Sequence, residues 1–377
     1  MLMKYIKMMF IKLQSKNIKN FMGAGLTNQE IKKLTGLFDD LDQSPALYKP
    51  SKYWIELNKM NMNQLSMHGY ECFKRTIALN YFTFVRIMPF DPQIVFLVKN
   101  LPFKIVLHCF FDSFKCKRHD FFSIFNFIES ILYNFLTLAS WSYVSKTVKD
   151  EDLLSLSEPD FGDPAKIYSE KKLISQDLAN SCLEVNSIKI AAKELFKKSN
   201  KKKTVLELGA GYGRDAYVFL SSNSNVRYII VDIPPAIYVS QKYLSSIFPE
   251  LNIFSYRRFE NFKDIEKDFY KADIVFLLPF QLPKIPAETI DLILTISSLH
   301  EMKHNQISNY LNQFNRLLRL NGFVYIKQWF SGAVLFEDIT INKKDYPIPE
   351  GWEIIFDRAA HIHTSFFESF YKKINPR

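Results

Sequence analysis

The chain has 377 residues, a length that suggests two domains. Apolar residues make up 47% and charged residues 23%, the ordinary balance of a soluble globular protein, which sets aside a disordered chain. The net charge of +10 admits a nucleic acid, an anionic membrane surface or a phosphate-bearing substrate as partner, or simply a Lys-rich solvated surface.

The first stretch, Met1 to Lys19, alternates apolar residues with Lys4, Lys7 and Lys12. No clean apolar core or small-residue cleavage site follows, which argues against a signal peptide. A packed terminal helix is the favoured reading; the basic N-terminus leaves room for contact with a membrane surface. Residues 1–165 show no βαβ rhythm, and their long aromatic runs, such as Phe73 to Phe82, predict a mostly helical N-terminal domain. Phe121 to Trp141 has the length of a membrane span, but Asn126, Glu129 and Asn134 are costly in hydrocarbon. It reads as a buried helix. The four cysteines, Cys72, Cys109, Cys116 and Cys182, lack C-x-x-C spacing, which argues against a zinc site or a disulfide scaffold and fits a reducing cytosol.

The turn-rich string Glu158-Pro159-Asp160-Phe161-Gly162-Asp163-Pro164 marks a boundary, so residues 166–377 form the second domain. A helix follows it, with Ile174, Leu178, Ser181, Val185, Ile188, Ala192 and Leu195 on one face. The run from Lys197 to Lys203 is an exposed linker. Strands and helices then alternate. Strands are predicted at Val205–Leu208, Tyr228–Val231, Asp273–Leu278, Ile290–Ile296 and Phe323–Gln328, with a short run at Ile253–Tyr256. Helices are predicted through Ala216–Leu220, Ala236–Ile247 and Asp264–Tyr270, and through Ile307–Leu318, the last ending before Asn321-Gly322. Trp352–Phe356 and Phe366–Tyr371 are β-prone and can pair antiparallel. This alternation predicts an α/β fold with a doubly wound, Rossmann-like parallel sheet and an antiparallel hairpin at its C-terminal end.

The most informative string is Glu207-Leu208-Gly209-Ala210-Gly211-Tyr212-Gly213-Arg214. Three of the chain's 11 glycines fall in this one turn, directly after an apolar strand. Glycine allows both the tight backbone path and the close approach of a ligand. Asp232 ends the next strand, 19 positions after Gly213, close to the roughly 20 expected of a ribose-binding acid. A nicotinamide site would want a third glycine where Arg214 stands, and no P-loop string exists. The spacing that fits is E-x-G-x-G-x-G.

That pattern resembles the first motif of class I S-adenosylmethionine-dependent methyltransferases. More narrowly, the chain resembles the sugar O-methyltransferase family that includes the enzyme of nanchangmycin biosynthesis. Four strings carry the likeness: Ile174 to Ser181, the glycine turn through Arg214, Val231-Asp232-Ile233-Pro234-Pro235-Ala236, and Ser297-Ser298-Leu299-His300-Glu301-Met302. Ser51-Lys52-Tyr53-Trp54, Gly69 and Phe73-Lys74-Arg75-Thr76 add to it, so the likeness spans roughly residues 50 to 330.

The resemblance implies S-adenosylmethionine as cofactor. Glu207 would help hold the methionine end, with Gly209, Ala210, Gly211 and Gly213 beneath it. Asp232 would take the ribose hydroxyls beside Ile233, since a carboxylate accepts two bonds in a fixed fork. Ser297 would line the cofactor after the fourth strand, and Gln281, in Phe280-Gln281-Leu282, would edge the adenine by analogy. Asp177 would face the site from a lid helix.

The acceptor implied is a sugar hydroxyl, on a sugar nucleotide, a glycan precursor or a glycosylated metabolite. A hydroxyl is a poor nucleophile until its proton leaves, so a general base is expected. His300 is the candidate, with Glu301 to orient it or to bind an acceptor hydroxyl; a helix-capping or core role for His300 weighs about equally. His361, His363, Arg257, Arg258 and Lys327 are weaker candidates for acceptor contact. No cluster of acids stands at metal-ligand spacing, so no metal ligand is assigned. Two rival functions remain. A nucleic-acid methyltransferase would suit the basic charge, yet [DN]-P-P-[YFW] is missing where Ser297-Ser298-Leu299-His300 stands. A non-catalytic binding protein on the same fold is the other.

Overall fold

The computed structural model describes residues 25–76, 92–117, 126–197, 201–223, 225–334 and 339–375. The expected basic N-terminal helix, the start of the Phe121–Trp141 segment and much of the Phe73–Phe82 run lie outside these residues.

Helices dominate the N-terminal part. They are α1 (Asn28–Asp42), α2 (Lys52–His68), α3 (Phe73–Thr76), α4 (Pro92–Asn100), α5 (Phe103–Ser113), α6 (Asn126–Thr147) and α7 (Glu151–Ser155). A small antiparallel hairpin follows, β1 (Ile167–Ser169) with β2 (Lys172–Ile174), which the sequence pattern had not signalled. Then α8 (Gln176–Ala191) leads towards the main sheet. In α6 the polar Asn134 is buried and its side-chain amide donates to the Ser113 carbonyl at the end of α5 (3.1 Å). Among the described residues no helix is long and apolar enough to cross a membrane.

The main sheet has eight strands. They are β3 (Lys203–Leu208), β4 (Val226–Val231), β5 (Ile253–Phe254), β6 (Ile274–Leu277), β7 (Ile290–Ile296), β8 (Leu318–Trp329), β11 (Trp352–Ala359) and β12 (Phe366–Lys373). A separate hairpin pairs β9 (Ser331–Val334) with β10 (Ile339–Asn342). The order across the sheet is β11-β12-β8-β7-β3-β4-β6-β5. Strands β3, β4, β6, β7 and β8 run parallel, and β12 runs antiparallel between β8 and β11. The predicted Rossmann-like sheet and its C-terminal antiparallel hairpin are thus both present.

Continuous burial along β4, β6 and β7 is what a parallel sheet covered on both faces requires. The covering helices are α9 (Arg214–Ser222), α10 (Ala236–Ile247), α11 (Glu266–Lys271) and α12 (His304–Leu317). Ile307, Tyr310, Leu311, Phe314 and Leu317 form the buried face of α12 and join Leu206, Ile229, Val275 and Ile293 of the sheet in one core. The helix stops earlier than the Asn-Gly signal implies. Chain pairing resumes at Leu318, and Asn321 (φ 63°) with Gly322 sits in a bulged stretch of β8, where Leu318 and Phe323 oppose Ile290 and Leu292. A left-handed residue can serve a bulge as readily as a helix end.

By contacts the chain divides into two compact units. The first holds residues 1–28, 59–186 and 361–364; the second holds 29–58, 187–360 and 365–377. The second unit therefore contains an N-terminal piece. Within that unit Tyr48 enters the core and packs edge-on against Tyr310 (6.0 Å). Gln306 donates to the carbonyls of Leu47 (3.2 Å) and Lys49 (2.8 Å). Asp40 accepts from the Tyr256 hydroxyl (2.7 Å) and pairs with Arg258 (3.2 Å).

Candidate active site

Strand order reverses between β3 and β7, so a crevice opens at their carboxyl ends. The glycine turn leaves β3 there. Gly209, Gly211 and Gly213 all have positive φ (76°, 60° and 88°), a region that side chains make costly. Gly213 is also the residue preceding α9, and its carbonyl accepts from Tyr217 N (3.0 Å). Gly209 has a second constraint. A Cβ there would stand 2.5 Å from Ser298 Cβ and 2.8 Å from its Oγ. Ser298 Oγ donates to the Leu208 carbonyl (3.1 Å) and bonds Thr295 Oγ1 (2.9 Å). The ends of β3 and β7 are joined through this one hydroxyl, and Gly209 makes room for it. Ser297, at φ 56°, is the kink that swings the chain out of β7, its N–H bonded to the Lys327 carbonyl (2.8 Å).

Both predicted acids stand at strand ends on this side. Glu207 is buried and accepts from the Tyr228 hydroxyl (2.7 Å), a phenol that burial first, and then the neighbouring carboxylate, pushes well up. Asp232 Oδ2 accepts from Gly211 N (2.6 Å) and Oδ1 from Ile233 N (2.7 Å). This links the end of β4 to the glycine turn. Asp232 keeps a little surface, but the protein packed around it pushes its carboxyl up to about 7, against the pull of those two N–H donors. Ala210 is buried in the turn, its carbonyl accepting from Gly213 N (2.9 Å). Gln281 lies after β6 and is fully buried. Its Oε1 accepts from Leu278 N (2.9 Å) and its Nε2 donates to the Arg257 carbonyl (2.9 Å), so both ends of the amide brace the loop.

His300 follows β7 in a single 3-10 turn, Leu299–Glu301. It is buried and stacks on Trp329 at 4.6 Å, with Phe366 edge-on. Its Nδ1 lies 2.7 Å from Gln328 Oε1. Gln328 Nε2 donates to the Thr295 carbonyl (3.1 Å), which fixes Oε1 as the acceptor and puts the imidazole proton on Nδ1. Nε2 then carries the lone pair, 3.9 Å from Glu301 Oε1. The other Glu301 oxygen accepts from the Trp54 indole N–H (2.7 Å). Tyr53, beside it, has its phenol pushed up by burial and by the Glu301 charge. Gln328 and Trp54 were not among the expected site residues. A buried polar residue closing an apolar strand was the available signal for Gln328.

The remaining candidates are placed elsewhere. Arg257 pairs with Asp268 (2.5 Å), Arg258 with Asp40 and Glu260, and Lys327 is buried in β8. In the first unit His361 Nδ1 meets the Tyr143 hydroxyl (3.0 Å), His363 Nε2 meets Asn180 Nδ2 (3.0 Å), and Asp177 lies near Tyr133. Among the described residues no group of three His, Cys, Asp or Glu side chains could hold a metal ion.

A sequence family described as a methyltransferase domain matches residues 188–371, just under half of the chain. Similar solved structures include a protein from Pyrococcus horikoshii OT3 (14% identity, 50% of this chain and 91% of that one, TM-score 0.33). Another is Burkholderia thailandensis 1,6-didemethyltoxoflavin-N1-methyltransferase (16%, 50% and 79%, TM-score 0.32). A third is a SAM-dependent methyltransferase from Aquifex aeolicus (14%, 48% and 89%, TM-score 0.30). No curated protein matches the chain. An acid-lined turn suits a cationic sulfonium and a ribose diol better than a pyrophosphate. Residues 188–371 therefore match a methyltransferase domain and carry a Rossmann-like sheet, and the cofactor that this match indicates is S-adenosylmethionine.

Proposed function

We propose that the protein transfers the methyl group to a hydroxyl of a sugar, with His300 as general base. The cofactor, when bound, supplies a methyl already activated by a positive sulfur. The protein's task is then to align the acceptor oxygen and remove its proton. Glu207 and Asp232 would hold the methionine and ribose ends, with the glycine turn beneath. Ile233 and Ser297 border the same strand ends.

The observation that carries the base role is the fixed tautomer of His300. Gln328 binds the Nδ1 proton, so in the neutral imidazole Nε2 is the nitrogen that can accept one. Nε2 would take the acceptor hydroxyl's proton as that oxygen receives the methyl group that the bound cofactor would supply. Glu301 Oε1 stabilises the resulting imidazolium and is itself held by Trp54. The products are a methyl ether, the demethylated cofactor and a proton.

The sugar assignment rests on the four strings named above and on the tie between the last of them and the N-terminal string that adds to them. Trp54, of the N-terminal string, bonds Glu301, of the string after β7. The test is mass spectrometry of glycans and secondary metabolites from a deletion strain. Loss of a methyl increment on a hexose or deoxyhexose is expected; unchanged sugars together with a lost methyl mark on RNA would replace this reading.

A further inference from the structure

Helix α5, in the first unit, carries its apolar stripe outward. Its inner face is fixed by α6: Cys109 and Ser113 are buried, the Ser113 carbonyl accepts from Asn134 (3.1 Å), and Cys109 Sγ lies 3.4 Å from Ser142 Oγ. Phe103, Leu107, Phe110 and Phe114 follow at steps of four, three and four, one face of a 3.6-residue period, and all four are exposed. Phe111 stands beside them; it is 61% exposed, and Phe103 75%. The rings form one patch, with Phe110 edge-on to both Phe111 (5.7 Å) and Phe114 (5.1 Å). An amphipathic helix of a globular protein normally turns such a stripe towards the core. Single exposed apolar residues are ordinary, but a joined patch of them marks an interaction surface.

The charge around the patch selects its partner. From Pro92 to Lys117 the chain carries Lys99, Lys104, Lys115 and Lys117 against one acid, Asp112. All four lysines are exposed, and Asp112 is itself shared between Lys115 (2.6 Å) and His108 (2.9 Å). Lys104, His108 and Lys115 each follow a residue of the stripe by one position, so a basic row runs alongside it. A second copy of this chain is a poor occupant, because a two-fold contact would set one basic row against the other. An anionic lipid surface fits both parts. Aromatic side chains enter the boundary between headgroups and acyl chains, while lysines on long stems reach the phosphates. We propose that α5 docks the protein on an anionic membrane surface, lying in its plane with the Phe103–Phe114 stripe inserted. This surface is independent of the methyl-transfer reading, and binding is measured without turnover.

The test is co-sedimentation of the full chain with vesicles of mixed phosphatidylglycerol and phosphatidylcholine, and with vesicles of phosphatidylcholine alone. Wild type should bind the anionic vesicles, less tightly as salt rises. The double variant Phe103→Gln/Phe111→Gln removes the two most exposed rings at little loss of buried area. Its Tm should stay within about 2 °C of wild type, and its affinity for anionic vesicles should fall about tenfold or more. Lys104→Gln/Lys115→Gln, which leaves the rings in place, should lose about tenfold on the same vesicles, and it decides the question if the aromatic variant fails to fold. Wild type that stays in solution with both kinds of vesicle overturns the proposal and gives the patch to an acidic protein partner. Equal binding to phosphatidylcholine alone, or binding unchanged in both variants, overturns it too. So does a lipid-free dimer, seen by analytical ultracentrifugation, that Phe103→Gln/Phe111→Gln dissociates.

Discussion

Gly209→Ala tests whether the β3 and β7 ends are held together as described. The added Cβ would stand 2.5 Å from Ser298 Cβ, against roughly 3.5–4.0 Å for carbon atoms in ordinary contact. About 1 Å of separation must open between the two strand ends. Ser298 cannot retreat without stretching its bond to the Leu208 carbonyl. Overpacking of this kind costs about 1–3 kcal/mol. The left-handed φ of 76° adds roughly 1–2 kcal/mol for a residue with a side chain. Together these predict about 2–5 kcal/mol of lost stability. Urea unfolding of the wild type, Gly209→Ala, Ser298→Gly and the double variant separates the two parts. Ser298→Gly should return the steric part but not the backbone part, giving a coupling of about 1–3 kcal/mol. S-adenosylhomocysteine affinity should follow the same pattern. A coupling near zero, or a Gly209→Ala protein as stable as the wild type, would refute the argument that Ser298 dictates this glycine.

Asp232 makes pH a second probe. Its carboxyl is raised from an ordinary 3.8 to about 7, so the folded protein favours the protonated form. Stability from this group is fully present below about pH 4 and is lost as pH rises through about 7. Donating ribose hydroxyls favour the ionised form, so S-adenosylhomocysteine affinity should climb between pH 6 and 8, and Asp232→Asn should flatten that climb in calorimetry. His300→Ala should retain cofactor affinity and lose about 10²–10⁴-fold in turnover; full activity would remove it from the base role. Gln328→Leu, which frees Nδ1 to choose its tautomer, should lower kcat without changing cofactor binding. Trp54→Phe keeps a ring but deletes the donor to Glu301, and kcat should fall about tenfold with cofactor affinity unchanged.

Much of the fold was legible because a covered parallel sheet writes itself as uninterrupted apolar runs. Ile290–Ile296 and Ala236–Ile247 begin and end where the pattern placed them. Asn321-Gly322 misled because a left-handed residue looks the same in sequence at a helix end and at a bulge. The hairpins β1–β2 and β9–β10 are too short to show a period. In the site, Glu207, Asp232 and the glycines stood out by spacing within one strand-turn-helix unit. Their place at adjacent strand ends could be expected, but the bond from Gly211 N to Asp232 could not. Trp54 was hidden for a different reason. It sits 247 positions before its partner, and no local pattern encodes a contact at that separation.

The piece formed by residues 29–58 has a consequence for biogenesis. It leaves the ribosome well before Glu301, Gln306 and Tyr310, the residues it must grasp. During synthesis Tyr48, Tyr53 and Trp54 stay solvated until α12 is made, an interval of tens of seconds at ordinary elongation rates of about 5–20 residues per second. A nascent chain of this design exposes aromatic surface throughout that wait, and a chaperone that shields it would raise the yield of active protein. Expression of a fragment starting at the matched domain would avoid the wait, and would yield a catalytic crevice with no indole to steady Glu301.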